Sequence, residues 1–164
     1  MKISDKGIKM IKHHEGVRYK PYRCSAFLHT IGVGHVLYPE QAKYPSTAEG
    51  IAMRKAFQLK QEDNRKWTEE EVDALLRKDI IRFERAVNLY LPVLSRQCEF
   101  DAALSATFNM GTGWLQRSTF RQALLRGDKE AAMESLLKCC KAAGKVIRGL
   151  QIRREDERRL FEGL

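Results

Sequence analysis

The sequence predicts an α+β fold in which a small β-containing lobe lies beside a larger, mostly helical lobe. Within the 164 residues, one stretch (residues 17–37) mixes aromatic and β-branched residues with glycines, a composition typical of short, twisted strands and turns. Most of the remaining chain carries apolar residues at helical spacing, separated by capping residues, glycines and prolines. At this length the two parts fit one domain with a substantial core.

A short helix is predicted at the start of the chain. Ser4 is a residue that caps helices, apolar residues recur at helical spacing up to Ile11, and Gly16 ends the pattern. After the strand-forming stretch, residues 38–67 predict a loop, a helix near 48–58 and a second loop.

A long helix is predicted next. Thr68 and Glu71 have the spacing of a capping box, and apolar residues follow at helical spacing from Val72 to Val87. This pattern predicts a helix of about six turns that ends before Pro92.

Four more helices are predicted further along the chain. The first, over Gln97–Met110, is so rich in alanine, leucine and phenylalanine that it predicts an interior helix, and Gly111-Thr112-Gly113 ends it. The other three are predicted over residues 118–125, 129–141 and 150–160.

The charge balance narrows the classes of partner. Thirty basic side chains against 21 acidic ones give a formal net charge of +9, which favours polyanions such as nucleic acid, anionic lipid or an anionic cell wall. No apolar run has signal-peptide length or the roughly 18 residues of a transmembrane span, so we expect the chain in the cytoplasm.

The four cysteines lack metal-ligand spacing, which predicts free thiols and no structural metal.

Glu15 is the first candidate catalytic residue. It closes the predicted first helix just before Gly16, so its carboxylate faces the negative end of the helix dipole. This position disfavours ionisation and suits a general acid, which must hold a proton at the working pH. A solvated surface glutamate is the alternative that the position alone leaves open.

The residues after Glu15 follow a specific pattern. Eight residues separate Glu15 from Cys24, five separate Cys24 from Thr30, and Ile-Gly-Val-Gly-His follows without a gap. This pattern resembles the phage-type lysozymes (glycoside hydrolase family 24), whose motif is Glu, eight residues, Asp or Cys, five residues and Thr, then Ile-Gly-x-Gly-His. The resemblance covers nearly the whole chain, including Phe100-Asp101-Ala102, Phe108-Asn109-Met110-Gly111 and Gly144-Lys145-Val146-Ile147.

The resemblance implies a lysozyme-like fold, with a long helix joining the lobes and a cleft between them. It also implies hydrolysis of the β-1,4 bond between N-acetylmuramic acid and N-acetylglucosamine, with peptidoglycan as substrate and no cofactor or metal. One group must then protonate the departing oxygen while a second assists attack on an oxocarbenium-like centre. Glu15 takes the first task, and Thr30 is expected to hold a water by its hydroxyl.

Cys24 departs from most familiar members of the family, which carry Asp at this position. A thiolate can stabilise positive charge and activate water, but an unperturbed Cys, with a pKa of about 8.5, is mostly neutral at pH 7. Lys20 and Arg23 would lower that pKa if they also lie close in space. Three roles stay open for Cys24: base or electrostatic partner, covalent nucleophile, or inert thiol.

One of the four histidines is expected to be structural. By its place in the motif, His35 is expected to form an ion pair with Asp79 on the long helix. His13, His14 and His29 have no obvious partners in the sequence, which predicts surface positions; for His29, which precedes Thr30, a position lining the cleft is the alternative.

The resemblance also implies four substrate-binding residues. Phe108 and Asn109 match a segment that lines the cleft, where an Asn amide can pair with N-acetyl groups; helix core and a polar helix end are the alternatives. Arg153 and Arg154 are expected to reach Glu15 or the muramyl carboxylate, with a solvated basic face as the alternative.

Other functions than wall cleavage are also compatible with the sequence. Residues 138–159 hold eight basic side chains against three acidic ones with interspersed apolar residues, so contact with the outer membrane or lipopolysaccharide is one interpretation and an ordinary packed helix is the other. Nucleic-acid binding is permitted by the charge, but no zinc finger, basic zipper or RNP motif is present. A catalytically impaired wall-binding relative is a third class, because position 24 lacks Asp.

The resemblance finally sets expectations for the whole molecule. We expect one catalytic domain over residues 1–164, with a β-containing lobe at 13–67 and a helical lobe at 1–12 and 68–164. We expect a monomer that accumulates in the host cytoplasm and depends on a holin to reach the periplasmic wall. The absence of a separate wall-binding module favours a Gram-negative host.

Overall fold

The structure is a computed structural model that describes all 164 residues, and its elements confirm the predicted α+β class. It contains eight α-helices, one short 3-10 helix and two small antiparallel sheets. In chain order the elements are α1 (Asp5–Glu15), β1 (Arg18–Arg23), β2 (His29–Gly32), β3 (His35–Val36), the 3-10 helix (Pro39–Lys43), α2 (Ala48–Ala56), α3 (Glu69–Tyr90), α4 (Gln97–Met110), α5 (Thr112–Arg117), α6 (Thr119–Leu125), α7 (Lys129–Leu137), β4 (Lys141–Ala142), β5 (Lys145–Val146) and α8 (Arg148–Glu162).

Local capping explains where α1 and α3 begin. The Ser4 hydroxyl accepts a backbone N–H of the first turn of α1 at 3.3 Å. At α3, the Thr68 hydroxyl accepts the N–H of Glu71 at 3.2 Å, and the Glu71 carboxylate accepts the N–H of Thr68 at 2.8 Å. The predicted capping box is therefore confirmed, and α3 ends at Tyr90, before Pro92 as predicted.

Helix α4 is the predicted interior helix and has the predicted bounds. Residues 99–107 are all buried, and four of them are polar. Each of these four finds a partner, as buried polar groups must: for example, Glu99 accepts a hydrogen bond from Lys129 at 2.7 Å, and Ser105 donates one to Glu157 at 2.7 Å. Such bonds fix the rotation of α4 among its neighbours.

A second, short helix follows α4 directly. Gly111 ends α4 with a φ of 89°, as predicted, but it also precedes α5, which the sequence analysis missed. A helix of only six residues offers too few positions for its periodicity to be recognised.

The end of α7 also differs from the prediction. The helix stops at Leu137 rather than Lys141, and the chain then forms the β4–β5 hairpin. Ala143 and Gly144 make its two-residue turn with φ values of 48° and 77°, the backbone that tight hairpins require.

The chain forms two compact units. One consists of Met1–His14 and Ile80–Leu164, and includes helices α4 to α8. The other is Glu15–Asp79, which includes α2 and the three-stranded antiparallel sheet in the order β1-β2-β3. The predicted lobe boundaries and single-domain organisation stay predictions. None of the helices combines the length and apolar character needed to cross a membrane.

His29 is buried, and its predicted surface position is wrong. All four residues of β2 are buried, because this strand is the middle one of its sheet. The His29 Nε2 atom lies 2.9 Å from the Phe57 carbonyl oxygen, and its backbone N–H donates to Gln41 at 3.2 Å. These contacts make His29 a structural residue.

Candidate active site

Glu15 is the last residue of α1 and its side chain is exposed. Ile8 and Ile11 bury one face of the helix, and Gly16, with a φ of 76°, turns the chain away from it. The carboxylate is therefore presented at the C-terminal end of the helix, where solvent and a substrate can reach it.

Cys24 lies in the bend between β1 and β2. Its N–H donates to the Leu28 carbonyl at 3.0 Å, and its own carbonyl accepts the N–H of Phe27 at 2.8 Å. Phe27 has a φ of 62°, a left-handed backbone that tightens the bend. All four cysteines of the chain are free thiols, and Cys24 is half-buried.

The bend lowers the pKa of the Cys24 thiol. Burial alone would raise it, but the backbone N–H groups of Leu28 and Ala26 and the hydroxyl of Thr30 donate hydrogen bonds that favour the thiolate, and the net shift is downward. Successive N–H groups that converge in a turn form a typical anion-binding concavity. The hydrogen bonds of the bend therefore favour the thiolate form of Cys24 more than burial disfavours it.

The two cations expected to lower the pKa of Cys24 are Arg23 and Lys20, and both have other contacts. Lys20 lines a cavity that is described below. Arg23 donates to four backbone carbonyls, those of Phe27, Arg54, Lys55 and Phe57, at 2.8–2.9 Å. Its guanidinium therefore closes the hairpin against α2 and the loop that follows it. Hydrogen bonds within the bend, rather than Arg23, account for the lowered pKa.

Thr30 lies near the start of β2, where its hydroxyl can act on the Cys24 thiol. Strand pairing sets Tyr22 opposite Thr30 and Arg23 opposite His29, so the start of β2 lies beside the end of β1. Thr30 is 1% exposed and its hydroxyl donates to the Leu28 carbonyl at 2.9 Å. Because a hydroxyl has one proton, it serves either this carbonyl or the Cys24 thiolate. The expected role of Thr30 in holding a water stays a prediction.

Tyr22 belongs to the same neighbourhood, although its place in the sequence predicts only a strand residue. Burial raises the pKa of its hydroxyl, Arg18 lowers it, and the negative charges of Cys24 and Glu15 raise it further. Glu15 and Cys24 thus both lie within electrostatic reach of one phenol. The Arg18 guanidinium stacks over the Tyr22 ring, 4.4 Å from its centroid.

A cationic cavity adjoins these residues on the unit Glu15–Asp79. It has a volume of about 500 Å³, and its lining includes Arg18, Lys20 and Lys66 together with Tyr19 and Tyr22. Aromatic faces beside ammonium and guanidinium groups suit a ligand that carries both sugar rings and carboxylates. Nothing in the spacing of these residues identifies the cavity, because Lys66 comes from a distant loop.

His35 and Asp79 form the ion pair that the resemblance implies. The Nδ1 atom of His35 lies 2.8 Å from Oδ2 of Asp79. The pair joins β3 to α3 within the unit Glu15–Asp79.

Phe108 and Asn109 lie at the C-terminal end of α4. Phe108 is half-buried and its ring packs 4.9 Å from that of Phe83. Asn109 is exposed, and its Oδ1 accepts a hydrogen bond from Arg154 at 2.9 Å, which leaves the amide N–H groups of Asn109 directed elsewhere. Their roles in substrate binding stay predictions.

Arg153 and Arg154 are buried, so a solvated basic face is wrong for both. They are 3% and 0% exposed, and their guanidiniums contact the carboxylate of Glu157 at 3.1 and 3.0 Å. The expected contacts of Arg153 and Arg154 with Glu15 or a substrate stay predictions. In the structure, Arg154 holds the side chain of Asn109 through its hydrogen bond to Oδ1.

Known proteins that are similar to this chain include a phage lysozyme and phage endolysins. A variant of the phage P22 lysozyme shares the fold with a TM-score of 0.77 and 30% identity, over 99% of each chain. The endolysin of Acyrthosiphon pisum secondary endosymbiont phage 1 is 33% identical over 99% of each chain. The endolysin of Bacillus phage B103 is 36% identical over 98% of this chain, which spans about half (54%) of that relative's length.

The fold and the site thus define a protein of the lysozyme class. The family model for phage lysozyme matches residues 12–157. The chain belongs to the phage lysozyme family.

Proposed function

We propose that this protein is an endolysin, a glycosidase that hydrolyses bacterial peptidoglycan and lyses the host cell when phage is released. The observation that carries the proposal is that an exposed glutamate at a helix end and a hydrogen-bonded cysteine in the next hairpin both act electrostatically on Tyr22. Membership of the phage lysozyme family supports the same function. Neither a wall-binding relative without activity nor a nucleic-acid-binding protein is favoured.

The finer reaction we propose is cleavage of the β-1,4 bond between N-acetylmuramic acid and N-acetylglucosamine. Glu15 gives its proton to the glycosidic oxygen as the bond from that oxygen to the anomeric carbon breaks. The Cys24 thiolate stabilises the oxocarbenium-like centre and accepts a proton from the water that attacks it. The proton then returns to Glu15 through solvent, which restores both groups.

Substrate binding is proposed for two regions. The cavity of Arg18, Lys20 and Lys66 offers cations to the carboxylates of muramyl groups and stem peptides. Asn109 offers its amide to N-acetyl groups beside Phe108, with Arg154 holding the Asn109 side chain in place.

Glu15→Gln tests the enzyme itself. An amide of the same size cannot donate an acidic proton, so we expect lysis of purified cell walls to slow by about 10²–10⁴-fold. The measurement is loss of turbidity of a wall suspension at pH 7, and circular dichroism checks that the variant is folded. Glu40→Gln, which changes another exposed glutamate, is the matched control. Full activity in Glu15→Gln, or no clearing by the native protein, contradicts the proposal.

Replacement of Cys24 by Asp, Ser and Ala tests the charge-bearing role. We expect Asp to retain activity, since it restores a negative charge, and Ser and Ala to lose most of it. The measurement is the initial rate of wall clearing for each variant, followed by analysis of the product anomer, which separates base from nucleophile. An Ala variant as active as the native protein assigns Cys24 no catalytic role.

Release and location are also proposed from family membership. The protein is made in the host cytoplasm as a monomer, leaves through a holin-dependent lesion and acts on the periplasmic wall. Exposed basic residues near the C-terminus, such as Lys141, Lys145 and Arg148, supply the proposed contact with the outer membrane or lipopolysaccharide. The burial of Arg153 and Arg154 removes two of the eight cations counted in that region.

A further inference from the structure

A cluster of three metal-ligating side chains lies outside the catalytic residues. His13 and His14 come from the end of α1 and Asp156 comes from α8, and all three belong to the unit Met1–His14 with Ile80–Leu164. One ligand atom from each residue can be chosen so that the three atoms lie within 4.8 Å of one another. The two imidazole rings pack edge to face, with their centroids 4.9 Å apart.

The burial of His14 distinguishes this cluster from a chance grouping of exposed side chains. The sequence predicts a surface position for His14, but its side chain is 8% exposed. Its Nε2 atom lies 3.2 Å from Oδ2 of Asp156, yet the direction does not suit a hydrogen bond, and this buried nitrogen has no hydrogen-bond partner in the protein. Buried polar atoms without such a partner are rare in folded proteins and point to a ligand or ion.

We propose that His13, His14 and Asp156 bind a divalent transition-metal ion such as Zn²⁺, with water in the fourth position. Two imidazoles and one carboxylate are a common ligand set for such an ion. Tetrahedral ligands about 2 Å from zinc lie roughly 3.3 Å from one another. The exposed ring of His13 therefore has to rotate inward to complete the site, which its freedom at the surface allows.

The ligand types and the nearby charges indicate which metal ions the site would bind. Arg153 lies within electrostatic reach of His14, and its charge would repel a bound cation. Imidazole ligands favour zinc, copper, nickel or cobalt, whereas Mg²⁺ and Ca²⁺ prefer sites made of oxygen atoms. The positive charge of Arg153 is offset by Glu157 at 3.1 Å.

The ion would join α1 to α8. Binding to the folded state alone stabilises a protein in proportion to the logarithm of the metal concentration above Kd. The site therefore predicts a melting temperature that rises with added metal, without any assay of wall cleavage. This inference does not depend on the proposed function.

Cobalt(II) is the probe of choice, because its visible absorption reports the ligands. Titration of the full-length native protein is expected to show one Co²⁺ per chain, visible d–d bands, no thiolate-to-cobalt charge transfer and a rise in melting temperature. His13→Ala changes an exposed residue and should fold; it and Asp156→Asn are each expected to weaken binding by at least about tenfold. Glu155→Gln removes an exposed carboxylate from the same helix and should leave binding unchanged.

Three results would overturn the proposal. Thiolate-to-cobalt charge transfer would place the ion at a cysteine instead. Binding in His13→Ala equal to that of the native protein, or no binding in the native protein, would reduce the cluster to an ion pair between His14 and Asp156.

Discussion

At the scale of single residues, Cys24 shows how a neutral side chain is prepared to carry charge. The thiol is placed in a bend whose N–H groups and Thr30 hydroxyl act on it together, and its pKa falls despite burial. At the family position that usually holds Asp, the bend thus favours the thiolate form of Cys24. The Thr30 side chain is the one contributor that a substitution can remove cleanly.

Thr30→Val is expected to raise the pKa of Cys24, since it removes a donor to the thiolate and keeps the shape of the side chain. One hydrogen bond to a charged group corresponds to a shift of roughly one pH unit. The measurement is the rate of alkylation of Cys24 by iodoacetamide against pH, followed by mass spectrometry of its peptide. Thr30→Ser keeps the hydroxyl and should retain the native midpoint. An unchanged midpoint in Thr30→Val would show that the backbone alone sets the pKa.

The sequence identified Glu15, Cys24 and Thr30 as candidates because their spacing is a local property of one hairpin and the helix before it. It did not identify the backbone N–H groups that act on Cys24, because such groups have no letter in a sequence. The sequence leaves a solvated basic face open as the alternative for Arg154 for a related reason, because it does not show that Glu157 lies beside this side chain in the interior.

At the scale of elements, the capping box of α3 depends both on a backbone hydrogen bond and on the charge of the Glu71 carboxylate. Glu71 accepts the N–H of Thr68 and two hydrogen bonds from Arg65, at 2.9 and 2.7 Å. The pKa of Glu71 falls to about 2, chiefly because of the Arg65 hydrogen bond, then that from the Thr68 backbone. A helix start that depends on a charged acceptor is sensitive to acid.

Glu71→Gln is expected to reduce the free energy of unfolding at pH 7 but not in acid. The folded-state pKa is below the ordinary value of 4.5, so the stabilisation is present above pH 4.5 and is lost as the pH falls toward 2. Gln still accepts the N–H of Thr68, which isolates the contribution of charge. Urea unfolding of both proteins at pH 7, 5 and 3 gives the difference, which should shrink in that order. A difference that is constant with pH would contradict this account.

The element boundaries that could be predicted are those set by nearby residues. Helix α3 begins at a capping box and ends before Pro92, so its bounds follow from short-range chemistry. Helix α5 and the β4–β5 hairpin are too short to show a period, and packing against neighbouring elements decides their structure. His29 was misassigned because burial of β2 depends on both neighbouring strands.

At the scale of the whole molecule, charge dominates the surface. Charged residues make up 31% of the chain and the net charge is +9. Such a surface attracts anionic wall polymers at long range, and it opposes passage of the folded protein through a lipid bilayer, because each charge would have to leave water.

The proposed dependence on a holin can be tested in a Gram-negative host. Cells that express the protein alone should keep growing, and lysis should follow once a holin or chloroform opens the inner membrane. Culture turbidity gives the result, and Glu15→Gln under the same treatment separates wall cleavage from the damage done by the membrane lesion. Lysis without any such lesion would contradict holin dependence.

The hairpin also limits where the chain can change in length. Arg23 and His29 pair across its ends, which leaves a loop of five residues, 24–28. An inserted residue would leave the strands paired but would carry Cys24 away from the donors of the bend. Insertions and deletions should therefore accumulate elsewhere, while the interval between Cys24 and Thr30 keeps its length even where the amino acids within it change.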